Sequence, residues 1–309
     1  MNINLNEKQK SAVEHKKGAL LIIAGAGTGK TAVITQRILH IVNSKWAKPD
    51  EILALTFTDK AANEMLERVD ENLPLGYGDI WISTFHSFCD RILRQEGQYI
   101  GLDTAYSMMS SAQSYIFFRK HLFDFSLKKF RPYGNPTKFI DDLLKHFSRL
   151  QDEDVSSEEY LQYAKSLTKR GDAQKEEYED TLELATVYDE YTKLKIQNSK
   201  IDFGDLILLT IKLFREKPNV LKRYQEKFKY ILVDEFQDTN YTQSVLVNIL
   251  SGLDPKKDSS KIGKVNPNLT VVGDDDQAIY KFRGAAISNI LQFKRSEERR
   301  VGKECRSRW

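Results

Sequence analysis

Cysteine is scarce: the 309-residue sequence has only Cys89 and Cys305. Two thiols cannot make a disulfide framework or a four-cysteine zinc site, so a reducing, cytoplasmic setting is expected. Long apolar runs are missing too. Stretches such as Ala19–Ala24 fall far short of the roughly 20 residues that a membrane-spanning helix needs, so no membrane partner is expected. The opening Met1-Asn2-Ile3-Asn4-Leu5 has no basic start leading into an apolar stretch, so no secretory signal is visible. Internal repeats are lacking as well. Net charge is small too, with 47 Lys and Arg against 44 Asp and Glu giving +3. The final segment Arg295–Trp309 holds six of the basic and three of the acidic residues, leaving 41 of each in the rest of the chain. The body is therefore neutral, and its net charge is no argument for binding nucleic acid.

What is present suffices for a sizeable core: 40% of residues are hydrophobic and 11% aromatic, in a length that suits one to three domains. Five short β-branched runs, 19–24, 52–57, 79–83, 230–234 and 269–273, read as buried strands. Helical patterns follow most of them, at 30–44, 59–72, 85–95 and 240–250. Strand alternating with helix predicts an α/β fold with a parallel sheet covered on both faces. Asn4 with Glu7 reads as the cap of a first helix running to about Glu14. Between about Gly101 and Lys200 no strand is expected, only polar helical patterns broken at 132–136 and Gly171. Charge is segregated in that insertion, basic over Phe117–Arg149 and acidic over Leu150–Thr192.

The first strand runs into Ala24-Gly25-Ala26-Gly27-Thr28-Gly29-Lys30-Thr31, and a helix opens at once. Strand, glycine turn and helix together are what a P-loop needs. Glycines let backbone N–H groups wrap phosphate oxygens, and the helix N-terminus adds a positive dipole. Lys30 would reach the β- and γ-phosphates of ATP and the Thr31 hydroxyl would ligate Mg²⁺. Ala24 stands where the general pattern has its first glycine. A glycine-rich turn with an incidental lysine is the alternative. The fourth strand ends in Asp234-Glu235-Phe236-Gln237-Asp238. A carboxylate at the C-terminal end of a parallel strand shares the P-loop's crevice. Asp234 would hold the metal and Glu235 would orient and deprotonate the attacking water. An acidic strand end that merely caps the next helix is the alternative here.

The Asp234–Asp238 run resembles the second motif of superfamily 1 DNA helicases, the UvrD/PcrA/Rep group. Other matches follow in that family's order: Leu5–Gln9, Leu55–Ala62, Ser83–Phe88, Asp202–Leu206 and Val271–Ala285. The resemblance implies a RecA-like P-loop NTPase domain 1A over 1–105 and 201–293, with an all-helical subdomain 1B inserted at 106–200. It implies that Gln9 reads the adenine edge, Arg37 flanks the base, and Gln277 senses the γ-phosphate. It places Phe57, His86, Tyr280, Phe282 and Arg283 on or beside a single-strand path, with movement from 3′ to 5′ along DNA and action at junctions of single and double strand. For Phe57 a strand-end core position, and for His86 a helix-cap role, are the ordinary alternatives. Three residues depart from the family pattern: Asp59 in place of the usual Asn, Gly204 in place of a common acidic residue, and Phe282 where Trp is frequent.

In the insertion, aromatics such as Phe117, Phe118, Phe123 and Phe125 interleave with Arg119, Lys120, Lys128, Lys129 and Arg131. This is either a surface for DNA phosphates or an aromatic core with solvated cations. Family members run to more than twice this length and carry a second RecA-like domain that completes the ATP site. The chain is thus expected to be a truncated N-terminal half that hydrolyses ATP poorly and unwinds nothing by itself. Segment 295–309 resembles the in-frame translation of a short-read sequencing adapter and is expected to be non-native; a basic arm or a disordered tail is the rival. A helicase–nuclease subunit of the AddA/RecB type and a non-catalytic nucleotide- and DNA-binding module are the alternatives for the whole chain.

Overall fold

The computed structural model describes residues 5–25, 27–73, 79–167, 172–252, 256, 268–274 and 306–308. Its strands are β1 (Leu20–Ile23), β2 (Ile52–Thr56), β3 (Trp81–Thr84), β4 (Ser107–Met108), β5 (Lys200–Ile201), β6 (Tyr230–Val233), β7 (Leu269–Gly273) and β8 (Arg306–Arg308). The helices are α1 (Glu7–Glu14), α2 (Lys30–Asn43), α3 (Asp59–Asp70), α4 (Phe85–Glu96), α5 (Ser111–Lys120), α6 (Ile140–Asp152), α7 (Ser157–Ser166), α8 (Asp172–Gln197), α9 (Phe203–Glu216), α10 (Pro218–Lys227) and α11 (Tyr241–Leu250). The chain divides into two compact units, Met1–Cys89 with Phe214–Trp309, and Asp90–Leu213. Both cuts fall inside helices, α4 and α9, so the second unit takes in more of the connecting segments than a division at 105 and 201 gives it.

The first unit is built on a parallel sheet in the order β3-β2-β6-β7-β1-β8. Every residue of β2, β6 and β7 is buried, as expected for strands covered on both faces. The apolar side of α2, with Val33, Ile34, Ile38 and Ile41, packs with Leu20, Ile22, Ile52 and Ala54 in one core. The cap of α1 is not the expected Asn4–Glu7 pair: Asn6 is the N-cap and Gln9 closes the reciprocal capping box. Asn4 lies outside the described residues. The tail, which has no apolar period, nevertheless adds Arg306–Arg308 in parallel beside Leu21–Ile23. Strand addition at an open edge uses backbone groups, so side-chain pattern did not announce it.

The second unit has an aromatic core in which Phe117, Phe118, Phe125, Phe147, Tyr188 and Tyr191 are buried. It is not wholly helical, since β4 and β5 form a two-residue parallel ladder, too short to leave a periodic signal. The interleaved aromatics are thus largely core. Lys129 is neutralised by Glu176 (2.8 Å) and Asp180 (2.6 Å) from α8, and Arg131 donates to the carbonyls of Leu122 and Phe125. Those two cations already serve the fold, which removes much of the case for that segment as a phosphate-contacting surface.

In the last turn of α8, Lys195 is almost fully buried, with its ammonium 2.5 Å from both Asp202 Oδ2 and Asp205 Oδ2 at the start of α9. The Gln151 carboxamide donates to the remaining oxygens, at 3.1 Å to Asp202 and 2.9 Å to Asp205. Gly204 is explained by this cluster, because a Cβ there would overlap the Gln151 side chain. Gly204→Ala is therefore expected to cost about 1–3 kcal/mol through overpacking. Thermal denaturation checks this, and an unchanged midpoint would contradict the tight approach.

Candidate nucleotide site

All strands of the sheet point the same way, so their C-terminal ends share one edge, and Gly25, Gly27–Thr31, Asp234 and Glu235 gather there. Gly27 and Gly29 adopt φ of +71° and +83°, a left-handed backbone that costs glycine nothing and other residues about 1–2 kcal/mol. The turn is braced by Thr28 Oγ1, which donates to the Gly25 carbonyl at 2.7 Å. Gly29 then caps α2, and its carbonyl accepts from Val33 N–H. No Cβ-sized obstacle lies within 4 Å of Gly25 or Gly27, which leaves space for a close ligand. Ala24 is buried at the end of β1, its N–H bonded to the Gly273 carbonyl; Ala26 lies outside the described residues.

Lys30 opens α2, and its Nζ sits 3.5 Å from Glu235 Oε2 and 3.6 Å from Asp274 Oδ2. Thr31 Oγ1 donates to Asp234 Oδ2 at 3.2 Å. Motifs two hundred residues apart are thus brought to bonding distance by the pairing of β6 and β1 with β7. Burial pushes the Asp234 carboxyl up to about 6, assisted by the adjacent Glu235 charge and opposed by the Glu235 N–H, Thr31 and Lys30. Asp238 is also pushed up by burial and by Glu235. Glu235 has φ +47°, a conformation that costs a non-glycine residue about 1–3 kcal/mol and clusters at functional sites.

Two residues of the site carried no expectation. Gln237 donates from Nε2 to Glu235 Oε2 at 2.6 Å while its Oε1 accepts from Asp274 N–H at 3.0 Å, tying the ends of β6 and β7 together. Asp274 is buried beside Lys30. The rule that singled out Asp234, a carboxylate closing a parallel strand, applies equally to Asp274 after β7.

Gln9 is placed against the loop: its Nε2 donates to the Thr28 carbonyl at 3.1 Å. Arg37 is placed otherwise than expected. Its guanidinium is fully buried and donates to Thr270 Oγ1 (3.0 Å) and to the carbonyls of Ala12 (2.8 Å) and Val13 (3.2 Å). Burial lowers it to about 10. It ties α1 to α2 and β7. Phe57 and His86 follow the paired ends of β2 and β3, both half-buried. Burial lowers the His86 imidazole, and Asp59, one of the departures from the family pattern, opposes that shift. Gln277, Tyr280, Phe282 and Arg283 lie outside the described residues.

A parallel sheet whose first strand turns through glycines into a helix, with carboxylates closing neighbouring strands, is the RecA-like arrangement of P-loop NTPases. The chain belongs to the UvrD/REP helicase family, as the UvrD/REP helicase N-terminal domain matches residues 5–298. The ATP-dependent DNA helicase PcrA of Bacillus subtilis (strain 168) is 41% identical over 293 residues, 94% of this chain and 35% of that protein. PcrA of Staphylococcus aureus (strain Mu50 / ATCC 700699) is 40% identical over 296 residues, 94% of this chain and 36% of that protein. PcrA of Leuconostoc citreum is 38% identical over 292 residues, again 94% of this chain and 35% of the relative. The chain thus spans about a third of the length of these relatives. No helix among the described residues is long and apolar enough to cross a membrane.

Proposed function

We propose that the chain is the ATP-binding portion of a DNA helicase that hydrolyses Mg·ATP to move 3′ to 5′ along single-stranded DNA, engaging single–double-strand junctions in the bacterial cytoplasm. Residues 1–105 and 201–293 would form motor domain 1A, with 106–200 as 1B. One observation carries the reading: Lys30 and Thr31 of the glycine turn face Glu235, Asp274 and Asp234 at one sheet edge.

The carboxylates of Glu235 and Asp274 lie 3.5 and 3.6 Å from the Lys30 ammonium, the group that would pair with phosphate oxygens. Phosphate binding exchanges one set of anionic oxygens for another, so Lys30 need not be desolvated anew. The Thr31 hydroxyl and Asp234 carboxylate are hard oxygen donors that suit Mg²⁺, which takes one or two protein ligands and completes its shell with phosphate and water. Bound there, Mg²⁺ would neutralise charge on the phosphates. Glu235 would take the proton of the attacking water, held in position by Gln237. Gln237 also joins β6 to Asp274 N–H, giving the chain after β7, where Gln277 would sense the γ-phosphate, a link to the base. Phe57, His86, Tyr280, Phe282 and Arg283 would line the strand path.

One lysine facing a triphosphate leaves most of its charge uncompensated, and arginines supplied from elsewhere raise such rates by about 10³–10⁵. The 309 residues alone are expected to turn over slowly and to unwind nothing, the second RecA-like domain supplying those groups. Titration with a fluorescent ATP analogue tests the core of the proposal. Lys30→Ala should weaken binding about tenfold or more, roughly 1.4 kcal/mol, and equal affinity would sink it.

The raised Asp234 carboxyl gives a second test. Its folded-state value lies above the ordinary 3.8, so it contributes stability that is present at low pH and lost as pH rises through about 6. Asp234→Asn should melt higher than the unsubstituted chain at pH 7.5, with the gap closing toward pH 4. A gap that does not change with pH would contradict this.

A further inference from the structure

At the opposite edge of the same sheet, where the strands begin, lies a cleft of about 530 Å³ that the P-loop reading does not use. Tyr230 opens β6, Asn268 precedes β7, and Lys16 and Lys17 lead toward β1. Strands of four or five residues rising about 3.3 Å each put this cleft roughly 13–17 Å from the phosphate loop. Its walls carry Lys16, Lys17, Lys45 and Lys229 with the Trp46 indole. Lys229 is paired with Glu51 at 2.6 Å. Lys16, Lys17 and Lys45 are exposed and have no carboxylate partner among the described residues. Lys16 Nζ lies 5.5 Å from the centroid of the Trp46 ring.

The cleft is built, not incidental. Tyr230 Oη donates to the Lys16 carbonyl at 2.8 Å. Asn268 accepts from Gly18 N–H and donates to the Lys229 carbonyl, fixing two lysine-bearing segments together. Lys45 itself has φ +57°. It follows the last turn of α2, its N–H bonding to the Val42 carbonyl and that of Trp46 to Ile41. This is the helix-ending position that glycine normally fills. A lysine there is strained by about 1–3 kcal/mol, and such strain gathers at functional positions. Three like charges on a rim and a strained lysine both work against stability unless an anion joins them.

We propose that this cleft is a second anion site that takes a phosphate attached to a planar base, with the phosphate among Lys16, Lys17 and Lys45 and the base against Trp46. Its volume is in the range of small-ligand sites, about 300–1,000 Å³, and an indole beside cations is a sequence-tolerant stacking surface. The phosphate can come from a free nucleotide or from a single strand.

Two variants, Lys16→Gln/Lys17→Gln and Lys45→Gly, test the site against Mg·ATP by calorimetry and against a short oligothymidylate by anisotropy. The ATP arm uses a Lys30→Ala background, so that failure at the P-loop and failure here are separable. If the ligand is a free nucleotide, a residual ATP affinity persists in Lys30→Ala and falls about fivefold or more in both variants. If it is a strand, oligothymidylate binding weakens and the double variant's salt slope drops by about 1.4, or 0.7 per lost phosphate contact. Lys45→Gly should hold or raise the melting temperature, which a loss of binding through misfolding would not do. Both affinities staying within about twofold of the parent in both variants would overturn the proposal.

Discussion

Glu235→Gln is expected to bind Mg·ATP as the unsubstituted chain does and to hydrolyse it about 10²–10⁴-fold more slowly, the range that loss of a general base produces. The substitution preserves size and the left-handed backbone at this position while removing the proton acceptor. The side chain is one-third exposed, so water reaches it, whereas Asp234 beside it is buried. Lys30 keeps Asp274 at 3.6 Å in the variant, which is why binding should survive. Single-turnover hydrolysis with fluorescent-nucleotide titration separates the two effects. A rate within about threefold of the parent would remove Glu235 from the chemistry, and parallel loss of rate and affinity would make it a binding residue instead.

Lys195→Met should have the largest effect on stability. The ammonium faces the buried Asp205 carboxylate and the part-buried Asp202 carboxylate, and lies 4.6 Å from the Tyr191 ring centroid. Removing it leaves Asp202 and Asp205 uncompensated, and breaking a buried pair in this way costs about 3–5 kcal/mol. Burial and Asp202 already push Asp205 up to about 6. Without Lys195 the Asp205 carboxyl rises further and Asp202 loses the cation that holds it below the usual carboxylate range, so the variant's deficit should be greatest above pH 7 and shrink toward pH 5, where a proton replaces the lost cation. Adding Asp202→Asn and Asp205→Asn should restore part of the loss. Urea denaturation followed by circular dichroism reads all of this, and a loss below about 1 kcal/mol would show that the cluster is solvated.

Strands β1, β2, β3, β6 and β7 were readable because each is a β-branched run of five or six residues bounded by turn residues, and the structure keeps them within a residue or two. The ladder of Ser107–Met108 with Lys200–Ile201 was not, since two residues carry no period. The ion cluster was equally hidden, because it depends on a tertiary approach between Gln151 and Asp205. Arg37 is a different case. It lies three and four residues from Ile34 and Val33 and four from Ile41, all buried on α2. Helical spacing alone therefore put it on the core face, whereas the resemblance to the family implied a place beside a base. Asp274 was available to the same reasoning that found Asp234.

The order of the strands has a consequence for how the protein is made. β1, which carries the phosphate loop, pairs with β7 at Leu20–Thr270, and β2 waits for β6 on one side. At about 5–20 residues per second, a ribosome needs roughly 12–50 s to synthesise the intervening 250 residues. The unit Asp90–Leu213 is continuous and emerges whole during that interval. The nascent chain thus holds a finished second unit while the nucleotide loop still lacks its inner neighbour. A ligand that gathers Lys30 and Asp234 can act on the nascent protein only after β6 and β7 have left the tunnel.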